Sequence, residues 1–132
     1  MNIKELAKKY HLDPANDFWE FPQKKGMWIL THDAIEKIMS QENIEVTEWD
    51  TLNSEHDLVR FKITMSMPLG SGDVKTVTTI GEADRNNCRT QYLGCIAEKR
   101  GIDRGVLKII NAYEYSVFSE IESDDFKNKN VE

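Results

Sequence analysis

The chain has 132 residues, 39% of them hydrophobic, with 23 acidic and 17 basic side chains and a formal net charge of −6. This length and apolar content fit one domain whose core needs no disulfide or metal staple. The acid excess excludes indiscriminate binding to nucleic acid, whose phosphates repel negative charge, and leaves only a local basic patch as a route to such a ligand.

From the N-terminus, Ile3, Leu6, Ala7 and Tyr10 recur at helical spacing, which predicts a short amphipathic helix over residues 2–11 that stops before Pro14. No run has the roughly 18 apolar residues of a membrane span, and the first residues lack the apolar stretch of a signal peptide, so a cytoplasmic protein without a membrane partner is expected. The stretch DFWEFPQKKGMWIL is aromatic, and its Trp19 and Trp28 are expected to close an edge of the core rather than to stack on bases. It leads into THDAIEKIMSQENI, where Thr31 is placed as an N-cap and Asp33 falls in the first turn of a second helix. Ile35, Ile38 and Met39 give that helix its buried stripe.

Three strands follow, IEVTEWDTL, DLVRFKITMSMP and DVKTVTTIG, joined by the polar connections LNSEHD and LGSGD in a meander of antiparallel hairpins. The second alternates with period two: Val59, Phe61, Ile63, Met65 and Met67 share a core face, and Leu58, Arg60, Lys62, Thr64 and Ser66 share a wet one.

Residues 88–110 then read as one long helix carrying three stripes. Winding at about 100° per residue puts Cys88, Tyr92, Cys95, Ile96, Ile102, Val106, Ile109 and Ile110 on a core side. Arg100, Arg104 and Lys108 stack as a basic ridge, with Arg89 near its line, beside a strip of Gly94, Ala97, Gly101 and Gly105. Each glycine inside a helix costs roughly 1 kcal/mol relative to alanine, so the strip implies close approach by the sheet, a second subunit or a ligand. Residues 116–126 read as a short terminal helix and 127–132 as a frayed tail. The expected architecture is one α+β domain over residues 1–126, with an N-terminal helix pair, a three-stranded antiparallel meander, a long helix packed on it and a short C-terminal helix.

Chemistry-bearing patterns are few. Cys88 and Cys95 read as buried free thiols. His11, His32 and His56 are scattered without ligand spacing, and neither a phosphate loop nor a nucleophile elbow occurs, so no metal, no cofactor and no catalytic residue is assigned. An alternative enzyme reading takes Asp57, Asp73 and Lys75 as the acids and lysine of a magnesium-dependent nuclease.

The strand exit TTIGEAD and the helix run AEKRGIDRGVLKIINAY resemble the annealing domain of the eukaryotic double-strand-break repair annealase and its phage single-strand annealing relatives, a family built on a β-β-β-α core. In that family a strand ending in a small G-x-[AS] turn leads to a helix reading A-x-x-x-[AG]-[LI]-x-R-[AG], which Ala97, Gly101, Ile102, Arg104 and Gly105 match. The resemblance implies a non-enzymatic, sequence-independent single-stranded DNA binding or annealing protein of phage or mobile-element recombination, acting as a homo-oligomer such as a ring. Arg104 would be its groove arginine, with Arg100, Lys108, Arg60, Lys62, Lys75 and Arg89 as further phosphate contacts. The competing expectation is a module on the same fold that does not bind DNA and uses its acidic surface to hold a basic protein partner.

Overall fold

The computed structural model describes residues 2–86 and 92–121. In chain order these form α1 (Ile3–Tyr10), β1 (Phe18–Glu20), β2 (Trp28–Leu30), α2 (His32–Gln41), β3 (Glu45–Ser54), β4 (Leu58–Pro68), β5 (Val74–Asp84), α3 (Leu93–Ile109), a 3₁₀ turn (Ala112–Tyr115) and β6 (Val117–Ser119). The class is α+β, as the periodicities predict, but the strands make two three-stranded sheets, β3-β4-β5 and β1-β2-β6.

Local chemistry sets the helix starts. Asn2 accepts the amide of Glu5 to open α1, and Thr31 Oγ1 accepts the amide of Ala34 to open α2, which satisfies donors that a helix N-terminus leaves without partners. Ile3, Leu6 and Tyr10 of α1 and Ala34, Ile35 and Ile38 of α2 enter the main core together with Ile63, Met65 and Met67 of β4 and Val106, Leu107 and Ile109 of α3.

The meander forms as predicted, with β4 antiparallel to both neighbours. Ile63, Met65 and Met67 are buried on the face toward α3, and Arg60, Lys62 and Ser66 point the other way. Gly72 takes φ +89° to close the β4–β5 hairpin, a backbone geometry that favours glycine.

The glycine strip resolves as helix-on-sheet packing. A side chain at Gly81 of β5 would lie 2.0 Å from the carbonyl oxygen of Ala97 and 2.6 Å from the amide nitrogen of Gly101. One at Gly101 would meet Ile63 Cδ1 at 2.5 Å, and one at Gly105 would meet Met65 Sδ at 2.5 Å. Thr79 Oγ1 donates to the carbonyl of Gly101 at 3.0 Å within this contact. The sheet therefore occupies the surface of Ala97, Gly101 and Gly105 that a ring-type subunit contact would have used; Gly94 stands apart, with open space around it.

Several expectations are corrected. Gly81 does not end the third strand, because β5 runs on to Asp84. The described part of the long helix begins at Leu93, with Tyr92 63% exposed and Cys95 exposed rather than buried; Cys88 and Arg89 lie outside the described residues. The deeply buried positions of α3 are Ala97, Gly101, Asp103, Gly105, Val106, Leu107 and Ile109, a face rotated from the predicted one. Residues 117–119 form β6, pairing in parallel with β2 through Trp28↔Val117 and Leu30↔Ser119, so of the helix predicted over residues 116–126 only Glu120 and Ile121, directly after Ser119, are helical among the described residues; residues 122–126 and the tail 127–132 lie outside them. β1 and β2, unpredicted, come from the aromatic segment; Phe21, Met27 and Ile29 make a small second core there with Trp19 and Phe118. Runs of three residues such as Trp28–Leu30 and Val117–Ser119 are too short to show a period.

Candidate functional site

Close packing of α3 on β5 determines what the basic ridge does. With glycine at 81, 101 and 105, the helix backbone sits against the strand, and the arginines on its flank reach the strand's outer border. Arg100, 8% exposed, donates from Nη1 to the carbonyl of Glu82 at 2.9 Å, and Arg104 Nη1 donates to the carbonyl of Ile80 at 2.7 Å. These carbonyls belong to the edge of β5 away from β4, so the two guanidiniums cap acceptors that an edge strand otherwise leaves to solvent or to another chain.

The other cations named as DNA contacts are distributed around the molecule. Lys75 Nζ donates to the carbonyl of Ile109 at 2.6 Å and to Asn111 Oδ1 at 3.1 Å, a cation placed at the C-terminal end of α3, where the helix dipole favours it. Arg60 Nε lies 3.2 Å from Glu82 Oε2 across the β4–β5 pair. Lys62 is exposed on the sheet face turned away from α3, whereas Lys108 is exposed on α3, so the sheet separates them. Arg100 and Arg104 are thus brought together on one strand edge, Arg60 and Lys62 on one sheet face, and the two sets do not converge on one groove.

That outer sheet face is acidic. Glu45, Glu48 and Asp50 of β3 stand opposite Ser66, Thr64 and Lys62, and Glu82 and Asp84 of β5 stand opposite Arg60 and Leu58. Five carboxylates therefore share the face with two cations, one of them already paired. Between them runs a neutral hydroxyl ladder, with Thr64 and Thr78 oxygens 3.0 Å apart and Ser66 and Thr76 oxygens 3.3 Å apart.

The arrangement depends on two register shifts in β3, between Val46 and Glu48 and between Thr51 and Asn53. Strict alternation would put Glu45 on the face opposite Glu48 and Asp50. The extra residue Thr47 reverses that parity, gathering the three acids on one side and Val46, Trp49 and Thr51 on the other. Trp49, 39% exposed, packs on Phe61 with ring centroids 4.9 Å apart.

A second polar cluster joins α2 to α3. Asp103 is 0% exposed and its Oδ1 lies 2.5 Å from His32 Nδ1, while Glu36 Oε1 lies 2.9 Å from His32 Nε2. Each ring nitrogen of His32 therefore faces one carboxylate, which fixes the orientation of the imidazole between α2 and α3. Glu120 Oε1 also accepts the backbone amide of His32 at 2.9 Å, fixing the start of α2 to the residue after β6. Sequence reasoning missed this pair because its members are 71 positions apart and no local spacing joins them.

The nuclease constellation is not assembled. Asp57 precedes β4 and Asp73 follows it, so the 11-residue strand, about 33 Å long, lies between them. Asp73 Oδ2 instead accepts the hydroxyl of Ser71 at 3.0 Å. Among the described residues no group of three His, Cys, Asp or Glu side chains is arranged to hold a metal ion, and no helix is long and apolar enough to cross a membrane. A cleft between Tyr10, Met67 and Ile109 has a volume of about 210 Å³, and a wide, open depression over Asp33, Glu36, Lys37, Ser40 and Gln41 on α2 has about 580 Å³.

No protein-family model, no curated protein and no solved structure matches this chain.

Proposed function

We propose that the protein is a non-catalytic interaction module that holds a cationic protein segment against the acidic outer face of its β3-β4-β5 sheet. The observation that carries this reading is the distribution of charge. Four of the cations that would have made a phosphate groove, Arg100, Arg104, Lys75 and Arg60, are held by β5 carbonyls, a helix end and Glu82, and the exposed Lys62 and Lys108 are separated by the sheet, while five carboxylates, Glu82 among them, line its outer face. A sheet face of that sign attracts lysine and arginine and repels a phosphate backbone.

The test is fluorescence anisotropy with a labelled lysine-rich peptide and, separately, labelled single-stranded DNA, each at low and moderate salt. The module reading expects salt-sensitive peptide binding and no DNA binding. DNA binding lost in Arg104→Ala/Lys108→Ala, with no peptide binding, would replace it with the single-stranded DNA reading.

A further inference from the structure

The two edges of the large sheet are treated differently. At β5, Arg100 and Arg104 lie across the outer border and occupy the carbonyls of Glu82 and Ile80. Among the described residues β3 has no such cover: nine of its ten residues are exposed, Asn53 being the exception, and it pairs only with β4. A strand edge left open presents backbone donors and acceptors to any extended chain that approaches.

Resting on the interaction-module reading, we infer that the partner's cationic segment binds by strand addition along the β3 edge, in the stretch Glu48–Thr51 between the two register shifts. Backbone hydrogen bonds supply the affinity and alternate side chains supply the selectivity, as in other strand-addition complexes. Glu48 and Asp50 point to the acidic face, so the added strand carries lysine or arginine at the positions beside them. Trp49 points to the other face and stacks on Phe61, so the intervening position carries an apolar side chain that covers the exposed indole. The segment recognised is an extended run alternating basic and apolar residues.

Charge selects this occupant over a second copy of the chain. Pairing β3 with another β3 would bring Glu45, Glu48 and Asp50 of both copies onto one face, and like charges on neighbouring strands are destabilising. The shifts at Thr47 and Leu52 also shorten the regular edge to four residues, which limits the register of any added strand.

The experiment uses a short peptide alternating lysine and valine, with two derivatives N-methylated at alternate residues, one in each parity. Strand addition turns the amides of one parity toward β3 and the other toward solvent, so one derivative binds at least tenfold more weakly and the other matches the parent. Amide exchange of the protein slows at alternate residues within Glu48–Thr51 when the parent peptide is present. Equal binding of both derivatives, without protection at β3, would show a cationic segment resting on the face and overturn strand addition while leaving the module reading standing. Failure of every lysine-containing peptide to bind would overturn both. Protection of the same amides that grows with protein concentration in the absence of peptide would assign the edge to a second copy and overturn the proposal.

Discussion

Substituting alanine for glycine along the α3–β5 contact produces a graded series whose order follows from what each new methyl meets. At Gly81 its three nearest neighbours are all backbone of α3: the Ala97 oxygen at 2.0 Å, the Gly101 nitrogen at 2.6 Å and the Gly101 Cα at 2.8 Å. No side-chain rotation relieves that clash, so the helix must move off the strand, and the Arg100 and Arg104 bonds to β5 move with it. Overpacking typically costs about 1–3 kcal/mol and more where backbone must shift, so Gly81→Ala is expected to lose at least about 3 kcal/mol. At Gly105 the obstacle is the flexible end of Met65, with Sδ at 2.5 Å and Cε at 3.1 Å. Met65 can re-rotamer, and the helix gains roughly 1 kcal/mol of propensity, so Gly105→Ala is expected within about 1 kcal/mol of wild type. Gly94 has open space around it, and Gly94→Ala is expected to be neutral or stabilising by up to about 1 kcal/mol. Urea unfolding of the three variants measures the series. A Gly81→Ala protein as stable as Gly105→Ala would refute the claim that the helix rests backbone-to-backbone on the strand.

Arg100→Ala removes a charged donor from an edge carbonyl and is expected to lose about 1–2 kcal/mol and to raise the self-association seen by sedimentation, with Arg104→Ala showing a smaller loss. His32→Ala takes one partner from the fully buried Asp103 and is expected to lose about 1–3 kcal/mol in chemical unfolding, while Glu36→Gln, at the exposed end of the same array, stays within about 1 kcal/mol. Stability is also expected to fall at both pH extremes. Burial would raise the Asp17 carboxyl, but the Asp13 amide at 2.7 Å and the Lys37 ammonium at 2.9 Å outweigh it and hold the group below its ordinary range. The Asp17 contribution is therefore full above about pH 3.9 and is lost as pH falls through the lower folded value, and Asp17→Asn should flatten the acid limb of a thermal-unfolding profile. Burial, aided by the charge of Glu42, pushes the Tyr10 phenol up to about 12. Its contribution is full below the ordinary tyrosine value of about 10 and is lost as pH rises through about 12, and a tyrosinate titration should show one of the four tyrosines ionising last.

Where the pattern of apolar side chains carried the information, the structure was legible in the sequence: the cap at Thr31 and the stripe of α2 stand as read, and so does the alternation of β4 except at Thr64, which lies on the face read as wet yet is buried. The orientation of α3 was not, and the reason is physical. Its contact with the sheet is made by Ala97, Gly101 and Gly105, which bury backbone rather than side chains and so add nothing to a hydrophobic stripe, while Asp103 is buried through a partner far away in the chain. Arg100 and Arg104 were visible as a ridge, yet which acceptors they meet depends on how close the helix comes to β5. Acidic residues of β3 were equally visible, but one extra residue at Thr47 decides which face each occupies, and period-two reading carries no signal for a bulge. The resemblance to single-strand annealing proteins rested on the glycine-and-arginine helix, and in this structure those residues pack the helix on the sheet and cap its edge.

The central claim is that the carboxylates of β3 select a cationic segment, and charge reversal tests it most directly. Titrating a lysine-rich and a glutamate-rich peptide against wild type and Glu48→Lys/Asp50→Lys should show the lysine peptide binding the variant at least about tenfold more weakly than wild type, as expected when two exposed attractions of up to about 1 kcal/mol each become repulsions. The glutamate peptide should gain affinity for the variant. Unchanged binding of the lysine peptide to a folded charge-reversed protein would contradict the account.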